Sequence, residues 1–201
     1  MTLSLLTQRK SDSHRWRPTR AFLAFEVSQE VKEKLILAED ELRSTRADLK
    51  IVGRDNLHFT VKFLGEVPED TVKEVDKRLG GLKLPGFSVV VKGVGAFPDM
   101  RRPRVVWAGV ARESEGAINS AAAAFIGALQ GVGKPEDHGF QPHITLSRVK
   151  SPLNGGALVS FLQQNANRDF GESRIVSLKL KSSVLSPKGP TYTDVKEYAL
   201  Q

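Results

Sequence analysis

Hydrophobic positions in this chain switch repeatedly between a period of two and a period near four. Arg20–Val27 is apolar at both parities, the signature of a strand buried on both faces. Ser28 then offers an N-cap, and Val31, Leu35, Ala38 and Leu42 form a helical stripe. Leu49–Val52 is a short extended piece, and Arg54-Asp55-Asn56 is a turn. Leu57–Leu64 is a strand in which the alternation is clear. It puts Leu57, Phe59, Val61 and Phe63 on one face and His58, Thr60 and Lys62 on the other, with Gly65 and Pro68 ending the strand. Glu69 and Asp70 open a helix carrying Val72, Val75 and Leu79, stopped by Gly80-Gly81, and Phe87–Phe97 is the next strand.

The order then repeats. Pro103–Val110 reads as a strand. Ser114 is a candidate cap for a helix with Ile118, Ala122, Phe125 and Leu129. Pro142–Val149 is a strand, and Gly155-Gly156 precede a short helix around Leu158, Phe161 and Leu162. Arg174–Leu185 is a further strand, and after a turn at Ser186–Pro190 the last strand is Tyr192–Leu200. Each half reads strand, helix, strand, helix, strand. This predicts an α+β fold built as a duplicated, two-lobed unit with pseudo-two-fold symmetry, antiparallel sheets lining a central cleft and helices outside. The expected repeat units span about 20–98 and 103–187, with a final strand at 192–200. Residues 1–18 are expected to be an extension, and 19–201 a single bilobal domain.

The halves share a tetrapeptide at matched places: His58-Phe59-Thr60-Val61 and His143-Ile144-Thr145-Leu146, 85 positions apart. In a strand each His shares a face with its Thr, while Phe59, Val61, Ile144 and Leu146 face the other way. Two imidazoles can divide the work of acid and base near neutral pH, and threonine hydroxyls can donate hydrogen bonds to an oxygen that gains charge. A phosphodiester fits that equipment. The residues alone do not say which histidine is the acid. Rival chemistries are poorly served. There is no cysteine, which excludes disulfides, thiol nucleophiles and Cys-ligated zinc. No His-Glu-x-x-His, nucleophile-elbow or Walker sequence is present.

Composition changes this picture only a little. The net charge of +7 suits a polyanion such as nucleic acid. No run of 18 apolar residues occurs, so no membrane span is expected, and with no secretory signal read at the start the expected compartment is the cytoplasm. Arg101, Arg102 and Arg104 form the densest basic cluster. His14 reads as a solvated side chain, His138 as a solvated or structural one, and Lys62 as a solvated edge residue despite its parity with His58.

The chain resembles the 2H phosphoesterase superfamily, in particular its RNA 2′,3′-cyclic phosphodiesterase branch of bacteria and archaea, also called the 2′-5′ RNA ligase family. The matching stretches are Arg20–Phe25, Asn56–Glu66, Gly93–Pro98, Arg102–Trp107, Pro142–Arg148 and Leu185–Tyr192. The resemblance implies metal-independent hydrolysis of a terminal 2′,3′-cyclic phosphate of RNA, or of a cyclic nucleotide, to a 2′-phosphomonoester. It implies that His58 gives a proton to the leaving 3′ oxygen, that His143 takes one from water, and that Thr60 and Thr145 hold the phosphoryl oxygens. No cofactor and no metal are expected, and a monomer is. Arg148 matches a phosphate-contacting arginine, yet five positions after His143 simple alternation puts it on the wrong face unless the strand bulges or ends. Joining RNA ends by the reverse reaction, or binding RNA ends without turnover, would use the same residues.

Overall fold

The structure, a computed structural model, describes residues 19–135, 139–186 and 189–201. His14 and His138 lie outside the described residues, as does the extension 1–18.

The elements in chain order are β1 (Thr19–Glu26), α1 (Gln29–Ser44), β2 (Leu49–Ile51), a 3-10 turn (Arg54–Asn56), β3 (His58–Val67), α2 (Glu69–Leu79), β4 (Phe87–Phe97), β5 (Val105–Val110), α3 (Arg112–Ala128), β6 (Ile144–Val149), α4 (Gly155–Gln164), β7 (Asp169–Ile175), β8 (Ser177–Ser186) and β9 (Gly189–Ala199). All pairings are antiparallel, in the order β7-β4-β5-β6-β3-β1-β8-β9, with β2 added beside β6. The expected α+β architecture is present. No helix among the described residues is long and apolar enough to cross a membrane.

That strand order is symmetric about its middle. The two motif strands β3 and β6 meet there through one pair, Phe59 opposite Ile144, which are the residues between His and Thr in each motif. Outside them lie β1 and β5, then β8 and β4, then β9 and β7. The halves of the sheet are not the halves of the sequence, because β4 pairs with β5 and β8 with β1. The chain crosses back through Val176 alone, which separates β7 from β8. Since β7 and β8 stand near opposite ends of the order, the sheet curls until those ends come together there.

β1 is buried on both sides, as its double apolar parity requires. Leu23, Ala24 and Phe25 are fully buried and Phe22 nearly so. Phe25 packs edge-on against Phe87 of β4 and Phe125 of α3, tying the two halves of the sheet to one core. Burying each such ring is worth ~2–3 kcal/mol. Ser28 caps α1 as expected, its hydroxyl accepting from the Val31 N–H at 3.3 Å.

Four local expectations are corrected. Ser114 is not a cap: α3 starts at Arg112, and the buried Ser114 hydroxyl instead accepts the Val90 N–H of β4 at 2.9 Å. Gly155-Gly156 form the first turn of α4 rather than preceding it. The segment around Arg174 is two strands, divided at the exposed Val176. β3 runs past Gly65 to Val67, because Gly65 takes a positive φ of 82° and lets the strand bulge rather than stop.

Glu39 of α1 is buried at 1% exposure and accepts the Gly53 N–H at 3.1 Å, fixing the loop before β3. Burial raises its carboxyl to about 7, from the ordinary 4.5. A folded-state pKa above the unfolded one gives stability that is complete below pH 4.5 and is lost as pH rises toward 7. Glu39→Gln keeps the acceptor without the charge. Its melting temperature therefore rises above wild type by several degrees at pH 8, for up to about 3 kcal/mol, and matches wild type near pH 4.5. Calorimetry at the two pH values checks the sign.

Candidate active site

β3 and β6 splay from their single shared pair, and a cleft of about 680 Å³ opens at that point. His58, Thr60, His143, Thr145 and Arg148 all line it. Phe59, Ile144 and Leu146 lie in the core with no exposure, and Val61 is 3% exposed. The alternation therefore separates the faces as expected through the first three residues of each motif. Antiparallel register with Phe59 opposite Ile144 sets His58 against Thr145 and Thr60 against His143 across the pseudo-two-fold axis.

The fourth motif residue breaks the alternation in both copies. Leu23 and Ala24 pair with Lys62 and Thr60, which leaves Val61 as an extra residue. Val106 and Trp107 pair with Ser147 and Thr145, which leaves Leu146 as the extra one. Each is a β-bulge that turns the rest of the strand over. After Leu146, Arg148 comes to the cleft face, opposite Val105. After Val61, Phe63 comes to the cleft face, opposite Phe22. The expected placement of Phe63 in the core is thus wrong: it is 62% exposed. Lys62, expected to be solvated, is 7% exposed and donates to the Lys134 carbonyl at 3.4 Å.

The two histidines sit in different surroundings. His58 is 6% exposed, stacked on Phe22 at 5.1 Å with Tyr192 edge-on at 5.6 Å. Its Nδ1 has no hydrogen-bond partner among the described residues. Burial lowers it to about 4, against the pull of Glu26, its cross-strand neighbour on β1. Glu26 is itself held by Lys181 and Lys32, both at 2.6 Å, and Lys181 also reaches Asp194 at 2.5 Å. Burial works to raise the Glu26 carboxyl, but the two lysine hydrogen bonds outweigh it and hold the group below its ordinary value.

His143 is less enclosed. Its Nδ1 lies 2.8 Å from the Gln141 carbonyl, which can only accept, so Nδ1 carries the proton and Nε2 of the neutral ring has a free lone pair. Burial lowers its pKa, the Gln141 hydrogen bond partly offsets this, and Arg148 adds to the lowering. Phe97 meets the ring edge-on at 5.0 Å, and Trp107 backs Phe97 at 5.2 Å. Gly95 makes room for that indole, since a Cβ there would overlap its six-membered ring. The Gly93–Gly95 pair is thus explained by close approach at Gly95 and a positive φ of 80° at Gly93.

Sequence reasoning gave Phe22, Phe63, Phe97 and Tyr192 no role in the site. Phe63 and Arg148 each lie five positions after a motif histidine. That shared offset was the signal available, but without the bulges it pointed to the wrong face. Arg101 and Arg102 stand on a turn whose backbone N–H groups are held by Asp99, and they do not line the cleft. Among the described residues, no group of three or more His, Asp or Glu side chains is placed to hold a metal ion.

The chain is similar to known proteins along most of its length. The sequence model of the family described as LigT like Phosphoesterase matches residues 25–107. The chain is 34% identical to an RNA 2′,3′-cyclic phosphodiesterase of Archaeoglobus fulgidus, over 89% of this chain and 99% of that protein. It is 32% identical to the RNA 2′,3′-cyclic phosphodiesterase of Escherichia coli, over 91% and 97%. The crystal structure of E. coli LigT complexed with 3′-AMP superposes with a TM-score of 0.71 at 25% identity, covering 92% of this chain and 99% of that one. Doubled His-x-Thr strands facing one cleft, and likeness along nearly the whole length of these relatives, show that the chain belongs to the LigT-like (2H) phosphoesterase family.

Proposed function

We propose that the chain hydrolyses the 2′,3′-cyclic phosphate at the end of an RNA to a 2′-phosphomonoester, with His58 as proton donor and His143 as proton acceptor. The observation that carries this reading is that both motif histidines line one cleft with both motif threonines, one of them offering a bare ring nitrogen. His143 presents a bare Nε2, because Gln141 holds the Nδ1 proton. That is the form a base needs. Water gives a proton to Nε2 of His143 as its oxygen bonds to phosphorus. The bond from phosphorus to the 3′ oxygen breaks, and that oxygen takes a proton from His58. Proton exchange with solvent then resets both rings. Thr60 and Thr145 donate to the non-bridging oxygens, and Arg148 offsets the charge that grows on them.

In the free protein His58 is neutral near pH 7, since burial holds it at about 4. A bound phosphodiester brings a negative charge into that pocket and favours the imidazolium. Binding the substrate thus charges the acid. The curated relatives' names point to the same substrate class, and the E. coli LigT complex shows a nucleoside phosphate bound in this fold.

The test is turnover of an oligoribonucleotide ending in a 2′,3′-cyclic phosphate, in the presence of EDTA, with the product's phosphate position determined. The expected product carries a 2′-phosphate, and activity survives chelation. A 3′-phosphate product, or activity only with an added divalent metal, overturns the reading. The pH dependence has a definite sign. kcat/KM reports the free enzyme, in which both histidines titrate below 6.5, so its bell peaks on the acid side, between about 4 and 6.5. The alkaline limb of kcat lies higher, because the bound anion raises His58.

A further inference from the structure

The two sides of the cleft differ at matched positions although its strands are symmetric. On the first-motif side stand three aromatic rings, Phe22, Phe63 and Tyr192, with Lys62 and Lys134 beside them. On the second-motif side the position equivalent to Phe63 is Arg148, and beside Arg148 lies a second cation, Lys50 of β2.

Lys50 and Arg148 are direct cross-strand partners, so both side chains leave the sheet on the same face, and both line the cleft. Like charges directly opposite each other repel and destabilise a strand pair. Both side chains are exposed, and among the described residues neither has an ion-pair partner. The contrast is two residues away, where Lys150 has Asp48 at 3.9 Å. β2 is only three residues long and pairs only with β6, so an uncompensated repulsion in its middle is a conspicuous cost. The position 85 residues further on, on the other side of the axis, is the uncharged Pro135. The matched pair is thus Pro135 and Phe63, with Lys134 next to it, so the directly opposed cations Lys50 and Arg148 have no exact counterpart.

We propose that Lys50 contacts the internucleotide phosphate on the 5′ side of the terminal nucleotide, so that the site favours an RNA chain over a free cyclic nucleotide. This rests on the cyclic phosphodiesterase reading above. With Arg148 engaged by the reacting phosphate, Lys50 is the cation directly across the strand pair from it. A base stacked against those rings directs the preceding phosphate toward β2. An anion there relieves the Lys50–Arg148 repulsion. Contact through the phosphate makes the preference independent of RNA sequence.

The test compares wild type and Lys50→Gln on two substrates, a 2′,3′-cyclic mononucleotide and an oligoribonucleotide with a 2′,3′-cyclic phosphate end. The ratio of kcat/KM for oligonucleotide to that for mononucleotide is expected to fall about tenfold in the variant. The slope of log kcat/KM for the oligonucleotide against log salt is expected to lessen by about one. Equal losses on both substrates would place Lys50 on the reacting phosphate and overturn the proposal, as would no loss on either. Fluorescence anisotropy with a labelled oligoribonucleotide ending in a 2′-phosphate reads the same contact without turnover. If wild type cleaves neither substrate, the cyclic phosphodiesterase reading fails, and this binding alone decides. A roughly tenfold weakening in Lys50→Gln supports the chain contact, and undiminished affinity overturns it.

Discussion

His143→Ala is expected to lower turnover of a 2′,3′-cyclic phosphate by about 10²–10⁴-fold, with His58→Ala close behind. The effect is catalytic rather than structural for His143. Its ring is half-buried at the cleft wall, and the Gln141 carbonyl left behind can be reached by water. His58 is more embedded, between Phe22 and Tyr192, so its removal leaves a gap in the aromatic wall. The loss is tempered because the ring's Nδ1 is unsatisfied among the described residues. Melting temperatures of both variants separate the two contributions. The residual activities should also part company with pH. Without His143 only the acid titrates, so the acid limb of the profile disappears and activity falls steadily as pH rises. Without His58 the alkaline limb disappears and activity rises to a plateau. The opposite pattern would exchange the two roles, and full activity in either variant would sink the acid–base assignment altogether.

Gly95→Ala is the second large effect expected, although Gly95 does not line the cleft. A Cβ at Gly95 would overlap the six-membered ring of Trp107 and lie 2.9 Å from its Cε2. The indole has to turn. The indole also lies over Gly109, where a Cβ would meet Cζ3 at 3.0 Å. Overpacking of this kind costs about 1–3 kcal/mol. Movement of Trp107 passes to Phe97 and from Phe97 to the His143 ring. Displacing His143, the proposed base, is expected to lower kcat by about 10–100-fold. A shift of the Trp107 emission should accompany the loss. Adding Trp107→Phe removes the overlapping ring and should return part of the stability lost in Gly95→Ala, a coupling that a double-mutant cycle measures. Wild-type kcat with an altered emission spectrum would show that the indole does not set the position of His143.

Much of this protein was legible in one dimension because the relevant signals are local. A buried stripe such as Val31, Leu35, Ala38 and Leu42 declares a helix wherever it occurs, and its residues are indeed buried. The separation of His58 and Thr60 from Phe59 follows from a period of two that every strand obeys. Doubling of the motif needed only the sequence and implied the symmetry on which β3 and β6 meet.

What the chain could not declare was set by pairing across long separations. Nothing local distinguishes Val61 or Leu146 from an ordinary strand residue. Each becomes a bulge only because the neighbouring strand supplies one partner fewer, and that single extra residue decides that Phe63 and Arg148 face the cleft. Likewise β4 joins β5 and β8 joins β1, so the lobes exchange strands that the sequence repeat assigned to the other half. The unequal surroundings of the two motif histidines have the same origin. His58 is closed in by Phe22 and Tyr192 from β1 and β9, while His143 keeps the Gln141 carbonyl. Sequence supplied two histidines on matching strands. Tertiary burial, which sets how much it costs to charge each ring, made them unlike.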